Sequence, residues 1–167
     1  MKILILSHYF PPEVNAPAKR IFEHSKIFNE LNNEIIVITN FPNHPKGKIF
    51  DGYKNKWLSK SIVEGIKVIR VYTYLTPNKG IFKRSFNYFL FMILSAFHGL
   101  KEKNVDIIIS TSPQLLCGIA GMILSKIKKI PHVFEIRDIW PSSIAAVGII
   151  KKNNLGYRFL NFIEKKI

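Results

Sequence analysis

The residues with the clearest potential for chemistry are Arg137 and Asp138, a charged pair directly after the apolar residues 133–136. Such a run is typical of a buried strand, and Trp140-Pro141 forbids its simple continuation. In an open parallel α/β sheet, ligands bind where strands end at their carboxyl edge. We therefore expect Asp138 to position a substrate or a transferring group; the alternative is an ion pair that closes the strand end.

Polar residues also follow two other predicted strands. Apolar residues 3–6 are followed by Ser7, and apolar residues 107–109 lead to Thr111. In alternating strand–helix order, the carboxyl ends of parallel strands share one edge of the sheet. The three strand ends, including Arg137, are therefore expected to lie side by side.

The helices that begin at this edge are candidates for phosphate binding. Pro17 suits the first position of one helix, and Ser112 with Pro113 suits the N-cap and first position of another. Helix N-termini expose unpaired N–H groups and a partial positive charge, which favour phosphate. Lys19 and Arg20 add positive charge in the first turns, unless they only form a solvated helix face.

The order of these elements predicts an α/β protein with a Rossmann-like, mainly parallel sheet and helices on both faces. Strands are expected at residues 3–6, 34–39, 61–63, 66–74, 106–110 and 133–136, and helices at 17–31, 82–100, 113–128 and 155–167. The long polar segment 40–57 is expected to be a functional loop, and Lys46 is one of its basic residues. His44 in this loop and His8 in the first loop are expected near the binding edge.

Composition excludes several classes of protein. A single cysteine, Cys117, rules out an intramolecular disulfide framework and a cysteine-based zinc site, and we expect a core thiol. The five histidines lack metal-ligand spacing, so no metal is expected. Neither G-x-G-x-x-G nor G-x-x-x-x-G-K-[ST] occurs, which disfavours dinucleotide binding and P-loop hydrolysis.

The net charge of +14, from 25 Lys and Arg against 11 Asp and Glu, indicates an anionic partner. Nucleic acid, an acidic membrane surface and phosphate-bearing substrates all satisfy that charge. No recognised nucleic-acid-binding motif accompanies it, so we expect no specific nucleic-acid partner. No apolar run reaches the roughly 18 residues that a membrane span needs.

The predicted helix over residues 82–100 is apolar almost all round and has basic flanks. Basic residues beside an anionic leaflet contribute roughly 1 kcal/mol each to membrane binding. The alternative is that this helix simply packs on the sheet. Both can also hold, with one face of the helix on the sheet and another face on the membrane. The predicted membrane-facing residues are Lys83, Arg84, Phe86, Phe89 and Lys101.

Five segments together carry a family resemblance. They are Ser-His-Tyr-Phe-Pro-Pro-Glu at 7–13, Pro-Ala-Lys-Arg at 17–20, Asn-His-Pro-Lys-Gly-Lys at 43–48, Thr-Ser-Pro at 111–113 and Arg-Asp-Ile-Trp-Pro at 137–141. In this order they resemble the N-terminal half of bacterial GT-B glycosyltransferases of family 4 (group 1). The nearest subgroup is the amino-sugar transferases of capsule, O-antigen and colanic-acid assembly.

The resemblance implies a retaining transferase with a cleft between two Rossmann-like domains. Residues 1–167 would form the N-terminal domain, which holds the acceptor, often a polyprenyl-diphosphate-linked saccharide. The C-terminal domain, absent from these residues, would bind the nucleotide-sugar, a substrate that needs no further cofactor. The implied location is cytoplasmic and peripheral, on the inner face of the cytoplasmic membrane.

The resemblance also places site residues. Arg137 and Asp138 match the cleft motif, whereas Asn15-Ala16 stands where the family usually has Gly-Gly at the donor diphosphate. Alanine tolerates fewer backbone conformations than glycine, so this is a departure from the pattern. The substrate-binding candidates are Asn15, Ala16, Lys19, Arg20, His44, Lys46, Thr111 and Ser112. The competing interpretation is a non-enzymatic, basic peripheral-membrane or interaction module.

Overall fold

Strands of Ile, Leu and Val, with apolar side chains on both faces of the sheet, form the centre of the fold. In the computed structural model, which describes residues 1–76, 81–112, 114–137, 158, 161 and 162, six strands make one sheet. Their order is β3-β4-β2-β1-β5-β6, and of these described strands only β3 runs antiparallel to its neighbour. The strands are β1 (Lys2–Leu6), β2 (Glu34–Asn40), β3 (Leu58–Val63), β4 (Ile66–Val71), β5 (Ile107–Thr111) and β6 (His132–Glu135).

Helices cover both faces of the sheet, as the sequence predicts. Because alternate residues of a strand point to opposite faces, Ile3 and Ile5 join one core with Ile21, while Leu4 and Leu6 join the other. The first core lies under α1 and the second under α2 and α3. The long described helices are α1 (Ala16–Glu30), α2 (Ile81–Lys101) and α3 (Leu115–Lys128).

The parallel register aligns the strand ends. The last residue of β1 is aligned with Ser110 of β5, and Thr111 is aligned with Glu135 of β6. Ser7, Thr111 and Arg137 therefore lie along one carboxyl edge, as predicted. The helices that follow β1 and β5 leave to opposite faces, and in such sheets ligands bind in the crevice between these strands.

The start of α3 differs from the prediction. Ser112 is not its N-cap: the helix begins at Leu115, and Gln114 is the N-cap without a side-chain bond. The Ser112 hydroxyl instead accepts the backbone N–H of Arg137 at 2.7 Å. The neighbouring strand therefore competes for the oxygen that a cap would use. Pro113 lies outside the described residues.

Other boundaries shift by a few residues. Helix α1 has Asn15 as its N-cap, whose Oδ1 accepts the N–H of Ala18 at 2.9 Å, so Pro17 is at the second helical position. Strand β4 ends at Val71 because Thr73 pairs instead with the side chain of Asn55, at 3.1 and 2.8 Å. Strand β3 begins at residue 58, three residues earlier than expected. Of the predicted helix over 155–167, the described residues 158, 161 and 162 are helical.

We predict that Gly118→Ala destabilises the fold. A Cβ at Gly118 would lie 2.8 Å from the ring of Phe134, because α3 packs closely on β6. Overpacking of this kind costs about 1–3 kcal/mol, against a gain of about 1 kcal/mol in helix propensity. The free energy of unfolding in urea should therefore fall. Adding Phe134→Leu should restore part of the loss, and purely additive effects of the two substitutions would contradict the clash.

Candidate functional site at the carboxyl edge of the sheet

Glu135 is the centre of a charged cluster at the ends of β5 and β6. Its Oε1 accepts a hydrogen bond from Nε of Arg137 at 2.9 Å and lies 3.5 Å from Nε of Arg20. Its Oε2 accepts the hydroxyl of Thr111 at 2.9 Å. We call Arg20, Thr111, Ser112, Glu135 and Arg137 the edge cluster. It joins the first turns of α1 to two strand ends.

The backbone fixes the position of Arg137 in this cluster. The N–H of Ser112 donates to the carbonyl of Glu135 at 3.0 Å, which extends the parallel ladder by one bond. The Ser112 hydroxyl then accepts the N–H of Arg137. These two hydrogen bonds fix the backbone where the chain leaves β6, and they therefore fix the position from which the Arg137 side chain extends.

The edge cluster carries more positive than negative charge. Two guanidinium groups face one carboxylate. Burial alone would raise the pKa of Glu135, but hydrogen bonds from Arg137 and Thr111 and the charge of Arg20 bring it below its usual value. Among the described residues, no hydrogen-bond acceptor reaches the buried Nη2 of Arg20. The cluster is therefore suited to an anionic ligand.

The start of α1 lies at the same edge. The Oδ1 of Asn15 caps the helix, and its buried Nδ2 lacks a hydrogen-bond partner within the described part of the chain. Ala16 and Lys19 are exposed, whereas Arg20 is half-buried in the edge cluster. The sequence analysis predicts the same substrate-binding role for Lys19 and Arg20. In the structure, only Arg20 of these two belongs to the edge cluster.

A second polar site lies at the first turns of α2, where the ends of β1, β2 and β4 meet this helix. It is a cavity of about 20 Å³, enough for one water-sized group, and we call it the α2 cavity. It contains the candidate His44. Its lining residues are His8, Tyr9, Asn43, His44, Pro45, Thr76, Arg84, Asn87 and Tyr88.

The walls of the α2 cavity carry one permanent charge. Burial, with the nearby His44, lowers the pKa of His8 to about 3, and burial with the charge of Arg84 lowers the pKa of His44. Burial also raises the pKa of Tyr9. At neutral pH these rings are uncharged, so Arg84 supplies the charge. Its Nη2 donates to the Tyr88 hydroxyl at 3.1 Å.

Glu13 is a buried carboxylate that positions two loops at this edge. It is 2% exposed, and its Oε1 accepts the N–H groups of Asn43 and His44 at 3.0 and 2.9 Å. Burial raises its pKa even though these N–H groups oppose the shift. Glu13 thereby ties the loop after β1 to the loop after β2, and it holds two walls of the α2 cavity in place.

Lys46 lies elsewhere in the second loop. It is exposed at the rim of a wider, open cavity of about 620 Å³. That cavity is lined by Pro12, Pro45, Lys46, Lys48, Ile49, Phe50, Asp51 and Tyr53. The structure therefore places His44 and Lys46 in two different cavities, although only Pro45 separates them in sequence.

The predicted membrane-facing residues divide into two groups. Phe86 and Phe89 are 52% and 48% exposed, and Lys83 and Lys101 are also exposed. Arg84 is half-buried and turned toward Tyr88 in the α2 cavity. A search of the described helices finds none that is long and apolar enough to cross a membrane.

Asp138 lies outside the described residues, so the structure leaves its role as a prediction. Glu135 is the carboxylate that the sequence reasoning missed, because it treated residues 133–136 as one apolar strand. A signal was present: successive side chains of a strand alternate, so Glu135 and Arg137 at spacing two share a face. Within the described residues, no group of three potential metal ligands occurs.

Comparisons with known proteins support the fold and do not identify a family or a function. No protein-family profile and no curated protein matches the chain. Among solved structures, it is similar to the C-terminal domain of a hydrogenase from Pyrococcus furiosus, with a TM-score of 0.51 and 16% sequence identity. The similarity covers 80% of this chain and 89% of that domain. At this identity the similarity is evidence of a common α/β fold alone.

We predict that Glu135→Gln destabilises the protein in a pH-dependent way. The folded-state pKa of Glu135 is lowered, so the carboxylate stabilises the fold above the unfolded-state pKa of about 4.3. That contribution disappears as the pH falls through the folded-state pKa. Loss of hydrogen bonds to a charged group should cost about 1–3 kcal/mol at about pH 7, and less at about pH 3. Urea unfolding across this range measures both values.

The matched control is Glu34→Gln, which removes an exposed carboxylate paired with Lys2 at 2.9 Å. An exposed pair of this kind contributes about 0–1 kcal/mol. A loss at Glu135 that stays constant with pH, or that equals the loss at Glu34, would contradict the role of the edge cluster.

Proposed function

We propose that this chain is the acceptor-side, N-terminal half of a retaining glycosyltransferase. The enzyme would move a sugar from a nucleotide-sugar to a polyprenyl-diphosphate-linked saccharide during surface polysaccharide synthesis. The observation that carries the proposal is the positively charged edge cluster beside the crevice between β1 and β5. Each of the five segments that carry the family resemblance contributes at least one residue to this edge or to the α2 cavity beside it.

In this proposal the residues of the edge have different roles. Arg20 and Arg137 have the charge to stabilise a diphosphate, since guanidinium groups form strong hydrogen bonds to phosphate. The start of α1 at Asn15-Ala16 adds the partial positive charge of a helix N-terminus. Asp138, one residue beyond Arg137, would position the acceptor or the transferring group. The nucleotide-sugar is a substrate here, and the proposal includes no metal or other cofactor.

The first test is transfer of labelled sugar to a polyprenyl-diphosphate-linked saccharide. Residues 1–167 alone should transfer nothing, whereas the same residues joined to a nucleotide-sugar-binding half should be active. In the active form, Asp138→Asn should lower the rate by at least about 10²-fold, the lower end for a positioned acid or base. Arg20→Gln should lower kcat/KM by about 10-fold or more, since a hydrogen bond to a charged group is lost.

Lys19→Gln is the matched control, because Lys19 is the exposed neighbour of Arg20 on α1. Its kcat/KM should stay within about twofold of the unaltered enzyme. Turnover by residues 1–167 alone would refute the assignment as a half-enzyme. A folded Arg20→Gln enzyme with normal kcat/KM would remove the edge cluster from the site.

A second candidate is the peripheral-membrane module, which the surface of α2 favours. Exposed apolar side chains recur along one side of this helix, where Phe86, Phe89, Ile93 and Phe97 are 46–52% exposed. Helices α2 and α3 contain five Lys and Arg residues and no Asp or Glu. Glu102, just after α2, is buried and paired with Lys67 at 2.7 Å. This face would lie on the inner leaflet of the cytoplasmic membrane.

We predict that the chain binds anionic vesicles and loses this binding as salt rises, because exposed charges are screened over about 8 Å at physiological ionic strength. Replacing Lys83 and Lys101 with Ser should weaken partitioning about 10-fold or more, at roughly 1 kcal/mol for each charge. Co-sedimentation with phosphatidylglycerol vesicles measures the effect.

The matched control for the aromatic residues uses the opposite face of the sheet. Phe86→Ser with Phe89→Ser should reduce vesicle binding, whereas Ile27→Ser with Leu31→Ser should not. Ile27 and Leu31 are similarly exposed, at 52% and 67%, but belong to α1 and its C-cap. Equal binding to neutral and anionic vesicles would contradict a role for the lysines.

A further inference from the structure

Two polar groups of the α2 cavity remain available for a ligand. Asn87 is 6% exposed, and its Oδ1 lacks a hydrogen-bond partner among the residues that the structure describes. Arg84 donates to the Tyr88 hydroxyl but forms no ion pair with any described carboxylate. The two side chains lie three residues apart on α2, so they occupy neighbouring positions on one helix face.

The chemistry of these groups restricts the ligand. The Oδ1 of Asn87 accepts a hydrogen bond and therefore needs an O–H or N–H donor. The guanidinium of Arg84 donates and is best matched by an anionic oxygen. An uncharged sugar meets only the first need. Free phosphate, as HPO4²⁻, has one P–O–H donor on the same phosphorus atom as its anionic oxygens, so it can meet both needs only if both protein groups lie within reach of a single phosphate. A sugar phosphate carries a hydroxyl and an anionic oxygen close together and can meet both.

The size of the cavity determines which part of the ligand can enter it. About 20 Å³ admits one oxygen-sized group, so a hydroxyl can reach Asn87 while the rest of the ligand stays at the mouth. Arg84 is half-buried and so remains reachable for a phosphate there. The uncharged rings of His8 and His44 complete the wall without adding a competing anion.

We propose that the α2 cavity binds the sugar-phosphate end of the lipid-linked saccharide. One sugar hydroxyl donates to Oδ1 of Asn87, and the phosphate accepts from Arg84. This inference rests on the proposed function, because it assigns the acceptor of that reaction to a place on this chain. The exposed Phe86 and Phe89 lie on the same turns of α2, so the lipid tail can stay at the surface that they form.

The test is a titration of the isotope-labelled chain followed by NMR. The probes are N-acetylglucosamine 1-phosphate, N-acetylglucosamine and inorganic phosphate. The sugar phosphate should bind at least about 10-fold more tightly than either partial probe and should shift the side-chain amide signals of Asn87. Equal affinity for the sugar phosphate and inorganic phosphate would overturn the proposal, as would a cavity that holds only a water molecule and binds no probe.

Three variants locate the binding. Asn87→Leu should reduce sugar-phosphate affinity to that of inorganic phosphate, and Arg84→Gln should weaken both phosphate probes. Asn87→Asp keeps the shape of the side chain and should repel both phosphate probes, which covers the case in which Asn87→Leu fails to fold. Lys83→Gln is the matched control, because Lys83 is exposed and is not one of the residues that line the cavity. Binding that depends on Lys83 and not on Arg84 would overturn the assignment.

A vesicle arm separates a lipid-borne sugar phosphate from a free one. Phosphatidylglycerol vesicles doped with a polyprenyl-diphosphate-linked N-acetylglucosamine should bind the chain more tightly than undoped vesicles of equal charge, and Arg84→Gln should abolish the difference. Tight binding of the soluble probe without any gain on doped vesicles would refute the lipid-linked source. None of these measurements needs the donor half, so sugar-phosphate binding without transfer would reject the proposed function alone.

Discussion

The common direction of the parallel strands decides where the polar side chains of this chain can meet. Five described strands run the same way, and helices cover both faces of their sheet. A sheet buried on both faces leaves little room for polar groups except at its ends. The carboxyl ends therefore gather Ser7, Asn40, Thr111 and Arg137 from distant parts of the sequence along one edge.

The two sites on this edge differ in how they treat charge. In the edge cluster, Glu135 offsets part of the charge of Arg20 and Arg137, and the pKa of Glu135 falls in response. In the α2 cavity, burial keeps His8 and His44 uncharged at neutral pH, and Arg84 stands without a carboxylate among the described residues. The edge cluster thus compensates part of its positive charge with its own carboxylate, whereas no carboxylate of the described residues compensates Arg84.

Periodicity predicts most of this fold, because burial on both faces makes each strand almost purely apolar. The helices on both faces, the core thiol of Cys117 and the alignment of the strand ends were all accessible from the sequence. The N-cap at Ser112 was wrong, because its hydroxyl could serve α3 or β6 and local patterns do not rank the two. Asn87 was missed, since an amide within an apolar helix becomes informative only when its unpaired oxygen is seen.

The regular geometry of helix α2 fixes the distances between the side chains that it carries. An α-helix turns by about 100° and rises about 1.5 Å for each residue, so residues 84–89 span less than two turns. Whatever rests on Phe86 and Phe89 consequently lies within about one helix diameter of Asn87, roughly 10–12 Å. A single residue inserted between Phe86 and Asn87 would rotate Asn87 relative to Arg84 by about 100°, more than a quarter turn, and would separate these two side chains on the helix face. The relative placement of these side chains therefore depends on their spacing as well as on their identity.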